Sequence, residues 1–112
     1  MIDGLIGGRI SGRPVQRTGN SGKPFVTAKV RATTGDGDTV FVNVIAFAEG
    51  VRNALLALDD GESVCLAGVL TPKCWQPPSG GEPRPALDMV AHAVTTPYHV
   101  TRRRQAMSEV AA

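Results

Sequence analysis

The most constraining feature of the chain is an uninterrupted segment at residues 39–47, with the sequence TVFVNVIAF. Its β-branched and aromatic residues, with no Gly or Pro, predict a β-strand. Because side chains alternate along a strand, one face is purely aliphatic and the other carries Phe41, Asn43 and Phe47. Aromatic side chains beside an amide are typical of a surface on which bases stack. A central strand covered on both sides, with Asn43 hydrogen-bonded inside, would give the same pattern.

The preceding segment, residues 24–33, predicts a second strand with a cleaner alternation. Its even positions are Val or Ala, and its odd positions include Phe25, Lys29 and Arg31. A tight turn at residues 34–38 would join the two strands as a hairpin. We therefore expect one side of the sheet to combine cations with aromatic rings, as in a single-strand binder. For either cation alone, an ordinary solvated face explains the pattern equally well. The residues expected on this side are Phe25, Lys29, Arg31, Phe41, Asn43 and Phe47.

Composition indicates one small domain that is rich in turns. The chain has 112 residues, 13 Gly and 8 Pro, with 42% hydrophobic and 4% aromatic residues. This favours a small all-β fold with a modest core. A formal net charge of +2 is too weak by itself to establish a nucleic-acid partner.

The sequence gives no sign of a membrane span, a signal peptide or a metal site. No segment is long and apolar enough to cross a bilayer, and the first residues lack a charged region followed by an apolar stretch. Cys65 and Cys74 would face opposite sides of one strand, which disfavours a disulfide, and the scattered Cys and His do not form a zinc site. We expect reduced thiols, no cofactor and a cytoplasmic protein.

The remaining segments complete the order of a small barrel. Residues 2–10 predict a Gly-rich strand that can curl tightly and leave an exposed edge, followed by a turn-rich connection over residues 11–23. Apolar residues at helical spacing predict a short helix over residues 49–58. Strands are predicted over residues 63–75, where Lys73 and Trp75 share a face, and over residues 86–94, where Leu87, Met89, Ala91 and Ala93 share one.

This order predicts an all-β, five-stranded OB-fold barrel with a short helix between its third and fourth strands. We place the domain at residues 1–98. Residues 99–112 would form a short basic tail that carries Arg102, Arg103 and Arg104, either solvated or in contact with phosphates.

Several segments, in this order, resemble the bacterial single-stranded DNA-binding protein family. The opening GLIGGRISGRP at residues 4–14 is similar to the family's first strand. Residues 25–33, 39–47 and 60–64 are similar to later parts of its barrel. The most specific match is GVLTPKCW at residues 68–75, which resembles a Gly-x-Leu-x-x-x-x-Trp pattern before a Gly-bearing loop.

The resemblance implies base stacking on Phe41, Phe47 and Trp75, and a homo-oligomer, a tetramer or a dimer, built by pairing of first strands. A further stacking Trp of the family has no counterpart here. The family's acidic-hydrophobic C-terminal tip is not matched by residues 107–112, MSEVAA, so we expect no role in recruiting other enzymes through such a tip.

We therefore predict a non-enzymatic protein that binds single-stranded DNA with little sequence preference, in replication, recombination or repair, associated with the nucleoid. Two alternatives stay open. One is an accessory protein of the primosomal replication protein N type, with replication or primosome proteins as partners. The other is an OB module that binds proteins and no nucleic acid. The predicted DNA contacts are Arg9, Phe25, Lys29, Arg31, Phe41, Asn43, Phe47, Lys73 and Trp75.

Overall fold

Six β-strands and one short helix form residues 1–95, the part of the chain that the computed structural model describes. The predicted domain boundary at residue 98 and the predicted basic tail, residues 99–112 with Arg102, Arg103 and Arg104, lie outside the described residues. The elements in chain order are β1 (Ile2–Ile10), β2 (Val15–Thr18), β3 (Pro24–Thr33), β4 (Thr39–Ala46), α1 (Glu49–Leu56), β5 (Ser63–Trp75) and β6 (Arg84–Thr95).

Five of these strands close into a barrel. The sheet runs in the order β1, β5, β6, β4, β3, and the end of β1 returns to pair with β3 at Arg9–Arg31 and Ile10–Val30. All neighbours are antiparallel except β4 and β6. Gly8 permits the closure, since a Cβ there would lie 2.5 Å from the carbonyl oxygen of Arg31. In chain order, α1 lies between β4 and β5, which are the third and fourth of the five barrel strands. This arrangement confirms the predicted OB-fold.

The structure differs from the sequence prediction at β2. The connection over residues 11–23 contains a four-residue strand, Val15–Thr18, which pairs with Pro24–Thr27 of β3. All four of its residues are exposed, so the segment carries no apolar face that sequence analysis could detect. β1 and β2 pair with successive parts of the same edge of β3, so β2 continues the sheet along this edge where the pairing of β1 ends.

The aliphatic faces of the strands meet inside the barrel, as alternation predicts. Val26 and Val30 of β3 and Val42 of β4 are fully buried, and no charged or polar side chain is buried with them in the described residues. Burying an aliphatic side chain of this size contributes roughly 1.5–3 kcal/mol. The complete set of buried core residues is Ile10, Val26, Val30, Val42, Val44, Ala46, Leu55, Leu58, Val64, Leu66, Met89 and Ala91.

The helix is shorter than predicted but uses the expected apolar residues. It ends at Leu56, and the next turn tightens as the Leu58 N–H donates to the Leu55 carbonyl at 3.1 Å. Leu55 and Leu58 are both buried, so the spacing of the apolar residues is correct although the last of them is no longer helical. No helix in residues 1–95 is long and apolar enough to cross a membrane.

A bulge in β6 overturns one predicted face. The pairing shifts between Ala67 and Gly68, so that Ala67 pairs with Ala93 and Gly68 with Ala91. His92 is left as the extra residue, which reverses the alternation beyond it. Ala93 therefore does not share the face of Leu87, Met89 and Ala91 as predicted: it is exposed, and Val94 packs against the core. Periodicity alone cannot register an extra residue in one strand.

The predicted hairpin turn at residues 34–38 joins β3 to β4. The Thr34 N–H donates to the Asp38 carbonyl at 2.8 Å, which closes the turn. The Thr34 hydroxyl donates to the Asp36 carboxylate, and this hydrogen bond lowers the pKa of Asp36. The turn thus holds the two strands in the register from which the outer face is built.

Gly68 supports a first prediction about stability. A Cβ at this position would collide with the carbonyl oxygen of Val90 in the neighbouring strand. We expect Gly68→Ala to lower the unfolding free energy by about 2 kcal/mol, or roughly 10 °C in Tm, because the backbone must move to admit the methyl group.

The matched control is Gly35→Ala, where a Cβ meets nothing within 4 Å and φ is not positive. Thermal unfolding followed by circular dichroism compares the two variants. Equal Tm values for both would contradict the close approach at Gly68.

Candidate nucleic-acid interface

The register of the β3–β4 ladder sets the composition of the outer face. Lys29 lies opposite Asn43, and Arg31 lies opposite Phe41. Since directly paired residues point to the same side of a sheet, the odd positions of both strands share the outer face. This confirms the predicted grouping of Lys29, Arg31, Phe41 and Asn43 on one side. Phe25 and Phe47, the other two predicted members, lie just beyond this ladder and pack against each other.

Aromatic rings lie at both ends of this face. Phe41 is 43% exposed and Phe47 is 57% exposed, so both keep open ring surface. Phe25 packs against Phe47 with ring centroids 6.3 Å apart and planes inclined by 50°. At the other end, the Lys29 ammonium lies 5.6 Å from the Phe41 ring centroid, within the range of a cation–π interaction. Phe47 directly follows β4, six residues after Phe41, and six residues of extended chain span about 20 Å.

A groove of about 700 Å³ is lined by residues 27–29 of β3 and 43–45 of β4, which lie between these aromatic residues along the strands; none of the three rings lines the groove itself. Lys29 and Asn43 line its floor from β3 and β4, and Lys73 lines it from β5. Three of the sequence-predicted contacts therefore come together here. The full lining is Ser11, Arg13, Val15, Arg17, Thr27, Ala28, Lys29, Asn43, Val44, Ile45, Thr71, Lys73, Asp88, Met89 and Val90.

Two groove cations, Arg13 and Arg17, were missed by sequence analysis. Arg17 belongs to β2 and pairs with Phe25 of β3, which directs it to the same outer face. Arg13 precedes β2 and also lines the groove. The sequence did contain a sign of this face: Arg13, Val15 and Arg17 lie two residues apart, as do residues on one face of a strand. It was hidden because the surrounding Gly and Pro residues indicate a loop.

Asp88 brings an acidic group into the groove. The parallel pairing of β4 with β6 sets it beside Asn43, whose amide nitrogen donates to Asp88 Oδ1 at 3.3 Å. Its second oxygen, Oδ2, lies 3.9 Å from the Lys73 ammonium. The pairing of β5 with β6 and of β6 with β4 thus gathers Asn43, Lys73 and Asp88 into one polar cluster.

Trp75 lies beyond the groove, on a projecting arm. Within residues 1–95, the last residues of β5 and the first of β6 pair only with each other, since β1 pairs with β5 as far as Leu70 and β4 pairs with β6 from Leu87 onward. Trp75 is 52% exposed, on the same face of this arm as Lys73. Opposite Trp75 in the ladder is Arg84, a further cation on the arm.

Arg9 and Arg31 lie outside the groove lining. They pair with each other where β1 closes on β3. The Arg9 guanidinium donates to the Gly61 carbonyl at 3.1 Å, which ties β1 to the turn before β5. A DNA contact by Arg9 stays a prediction, and the structure assigns it a second role in holding this turn.

The fold is similar to that of solved single-stranded DNA-binding proteins. A small single-stranded DNA-binding protein from Streptomyces coelicolor matches with a TM-score of 0.67 and 24% identity, over 85% of this chain and 93% of that one. The mitochondrial single-stranded DNA-binding protein Rim1 of S. cerevisiae matches with a TM-score of 0.65 and 18% identity, over 86% of this chain and 94% of that one. No family model matches the sequence. No curated protein matches it significantly either.

These similarities place the chain in the OB-fold class. They confirm, at the level of the fold, the resemblance that the sequence motifs indicated. The matches cover nearly the whole described barrel. At identities of 24% and 18%, they show the fold alone.

The exposure of Trp75 generates a second prediction. Because its side chain lies on the arm and outside the core, we expect Trp75→Ala to change the unfolding free energy by less than about 1 kcal/mol. Leu55→Ala, which truncates the fully buried side chain on the core-facing side of α1, should cost about 2–5 kcal/mol.

Urea unfolding of both variants, monitored by circular dichroism, measures the difference. A loss for Trp75→Ala as large as that for Leu55→Ala would show that the indole is a core residue and would remove it from the candidate interface.

Proposed function

We propose that this protein binds single-stranded DNA with little sequence preference and performs no catalysis. The observation that carries the proposal is a groove lined by four cations and flanked by exposed aromatic rings. Arg13, Arg17, Lys29 and Lys73 line the groove, with Phe41 and Phe47 at its ends. The similarity in fold to single-stranded DNA-binding proteins supports it.

The cations supply attraction that does not depend on sequence. Phosphates occur at every nucleotide, so a groove with four positive side chains favours any polynucleotide backbone. The formal net charge of the chain is only +2, yet these four cations are concentrated on one face. Local concentration of charge, rather than net charge, is what a polyanion meets on approach.

The aromatic rings favour a single strand over a duplex. Base faces are available for stacking only when the bases are unstacked and unpaired, and stacking on a protein ring tolerates any base. Phe41, Phe47 and Trp75 all keep open ring surface. A strand that follows the groove could contact Phe41 and Phe47 at its ends, and its continuation toward the arm would reach Trp75.

Trp75 provides a direct optical test, since it is the only Trp of the chain. We expect its fluorescence to be quenched, and the quenching to saturate, on titration with oligo-dT, because a base stacks on the indole. Trp75→Ala should weaken binding by roughly five- to hundredfold, as measured by anisotropy of a labelled oligomer.

A duplex of equal length is the control and should bind much more weakly. If oligo-dT binds firmly while Trp75 fluorescence stays unchanged, the strand does not reach the arm. If oligo-dT does not bind at all, the proposal fails, and an OB module that binds proteins becomes the better account.

Salt dependence tests the electrostatic part separately. Four groove cations that neutralise four phosphates should give a log–log slope near −3, at about −0.7 per phosphate. Lys29→Ala should reduce the magnitude of this slope by about 0.7.

Lys23→Ala removes the same charge from an exposed turn outside the groove and serves as the control. An unchanged slope in Lys29→Ala, or an equal change in both variants, would contradict the placement of phosphates along the groove.

We further propose that the chain assembles through β1. Its residues before Arg9 pair only with β5 among the described residues, which leaves the second edge of β1 with free backbone donors and acceptors. Leu5 is 69% exposed beside this edge. A second copy of β1 can satisfy the edge by symmetric antiparallel pairing, which gives a dimer, and two such dimers would form a tetramer.

Light scattering of the purified protein should therefore report a multiple of the 11.7 kDa chain mass. Leu5→Glu should lower that mass, because symmetric pairing would bring two like charges together in a desolvated interface. Leu56→Glu, at a 39% exposed position on α1, is the matched control and should leave the mass unchanged. A wild-type mass of one chain across micromolar concentrations would contradict the assembly.

The cellular role that follows is protection of single-stranded DNA in replication, recombination or repair. Such a protein acts where chromosomal DNA lies, in the cytoplasm at the nucleoid. Exposed Cys74 and half-buried Cys65, both free, accord with a reducing compartment. Primosome or other replication proteins are the partners this role would bring.

A further inference from the structure

Asp88 is out of place in a groove built for phosphates. It is the one acidic residue among those that line the groove in the described chain, and four cations share the lining with it. A carboxylate there repels a phosphate and weakens the field of the neighbouring cations. A groove that only bound the DNA backbone would gain affinity from an uncharged residue at this position.

The two contacts that Asp88 makes leave it free to accept more. Asn43 donates to Oδ1 at 3.3 Å, and Lys73 lies 3.9 Å from Oδ2, at the outer limit of an ion pair. An ionised carboxylate offers about four lone-pair sites, so at least half remain open. The Asp88 side chain is 44% exposed, and a ligand in the groove can therefore reach it.

Asn43 holds the carboxylate in a defined orientation. Its backbone pairs directly with that of Asp88 across the β4–β6 ladder, so the amide and the carboxylate lie side by side on rigid strands. The cluster thus presents acceptors at a fixed place on the groove floor. What it can receive is an N–H donor, and the donors of DNA belong to the bases.

We propose that Asp88, oriented by Asn43, accepts a hydrogen bond from the exocyclic amino group of a base in the groove, so that the protein prefers cytosine to thymine. This inference rests on the proposed function. Cytosine carries an amino group at C4, where thymine carries a carbonyl oxygen that the carboxylate repels. The one donor on that edge of thymine, N3–H, lies between two carbonyl oxygens, so a carboxylate that approaches it meets repulsion on both sides. The two bases share one ring size, so stacking differs little between them.

The preference is modest. One hydrogen bond to a charged acceptor at a half-exposed position gives about three- to tenfold between the two bases. Sequence-specific DNA-binding proteins discriminate by about a thousandfold or more. A bias of this size is compatible with binding that remains largely sequence-tolerant.

The experiment compares Kd values for labelled oligo-dC and oligo-dT of equal length, at one salt concentration and mildly alkaline pH, where oligo-dC stays single-stranded. Wild-type protein should favour oligo-dC by about three- to tenfold. Asp88→Asn should bring the ratio close to one and tighten oligo-dT binding, because the repulsion of thymine and phosphate is removed. Asp59→Asn, an equal charge change at an exposed position outside the groove, should leave the ratio unchanged.

A second measurement needs no protein variant. An oligomer of 2-pyrimidinone deoxynucleotides, which is oligo-dC without its amino groups, should lose the advantage of oligo-dC over oligo-dT on the wild-type protein. This decides the matter even if Asp88→Asn disturbs the fold.

The outcomes separate this inference from the function on which it rests. Equal wild-type affinity for the two oligomers, or an equal gain for both in Asp88→Asn, overturns base recognition by Asp88 and leaves single-strand binding intact. Failure of the wild-type protein to bind either oligomer overturns the proposed function, and this inference with it.

Discussion

The register between β3 and β4 is the constraint on which the rest of the structure depends. The pairing of Val30 with Val42 buries one face, and the same register sets Lys29 beside Asn43 on the other. Because side chains alternate with a period of two, a slip of one residue would expose the valines and bury the cations. The hydrophobic core therefore selects the arrangement of the outer face, and the two cannot change independently.

Closure of the barrel adds what the hairpin alone lacks. A two-stranded hairpin would present aromatic rings and cations on a narrow, open ribbon. The contact of β1 with β3 near Gly8 closes the sheet into a ring, and Gly68 of β5 admits the backbone of β6 close beside it. The ring brings β6 beside β4 and holds β2 beside β3, and these strands supply the walls of the groove.

In the function that we propose, the groove combines two kinds of recognition that act over different distances. Charge on four flexible cations attracts any polyanion from several ångströms away and is weakened by salt. Stacking on Phe41, Phe47 and Trp75 and hydrogen bonding near Asp88 act only on contact. The carboxylate of Asp88 among the cations slightly lowers the charge attraction and adds a hydrogen-bond acceptor for recognition on contact. Such a groove would combine general affinity for DNA with some base preference.

Local pattern in the sequence determined the strands, the short helix and the outer face of the hairpin, since alternation and turn chemistry act between near neighbours. It also identified Lys73 and Trp75 on one face of β5. It did not determine the bulge at His92, the strand β2 or the place of Asp88 next to Asn43. Those features depend on pairing between residues far apart in the chain, such as the 45 positions between Asn43 and Asp88. Periodicity shows which way a side chain points from its own strand, and only the closed barrel decides which strand lies beside it.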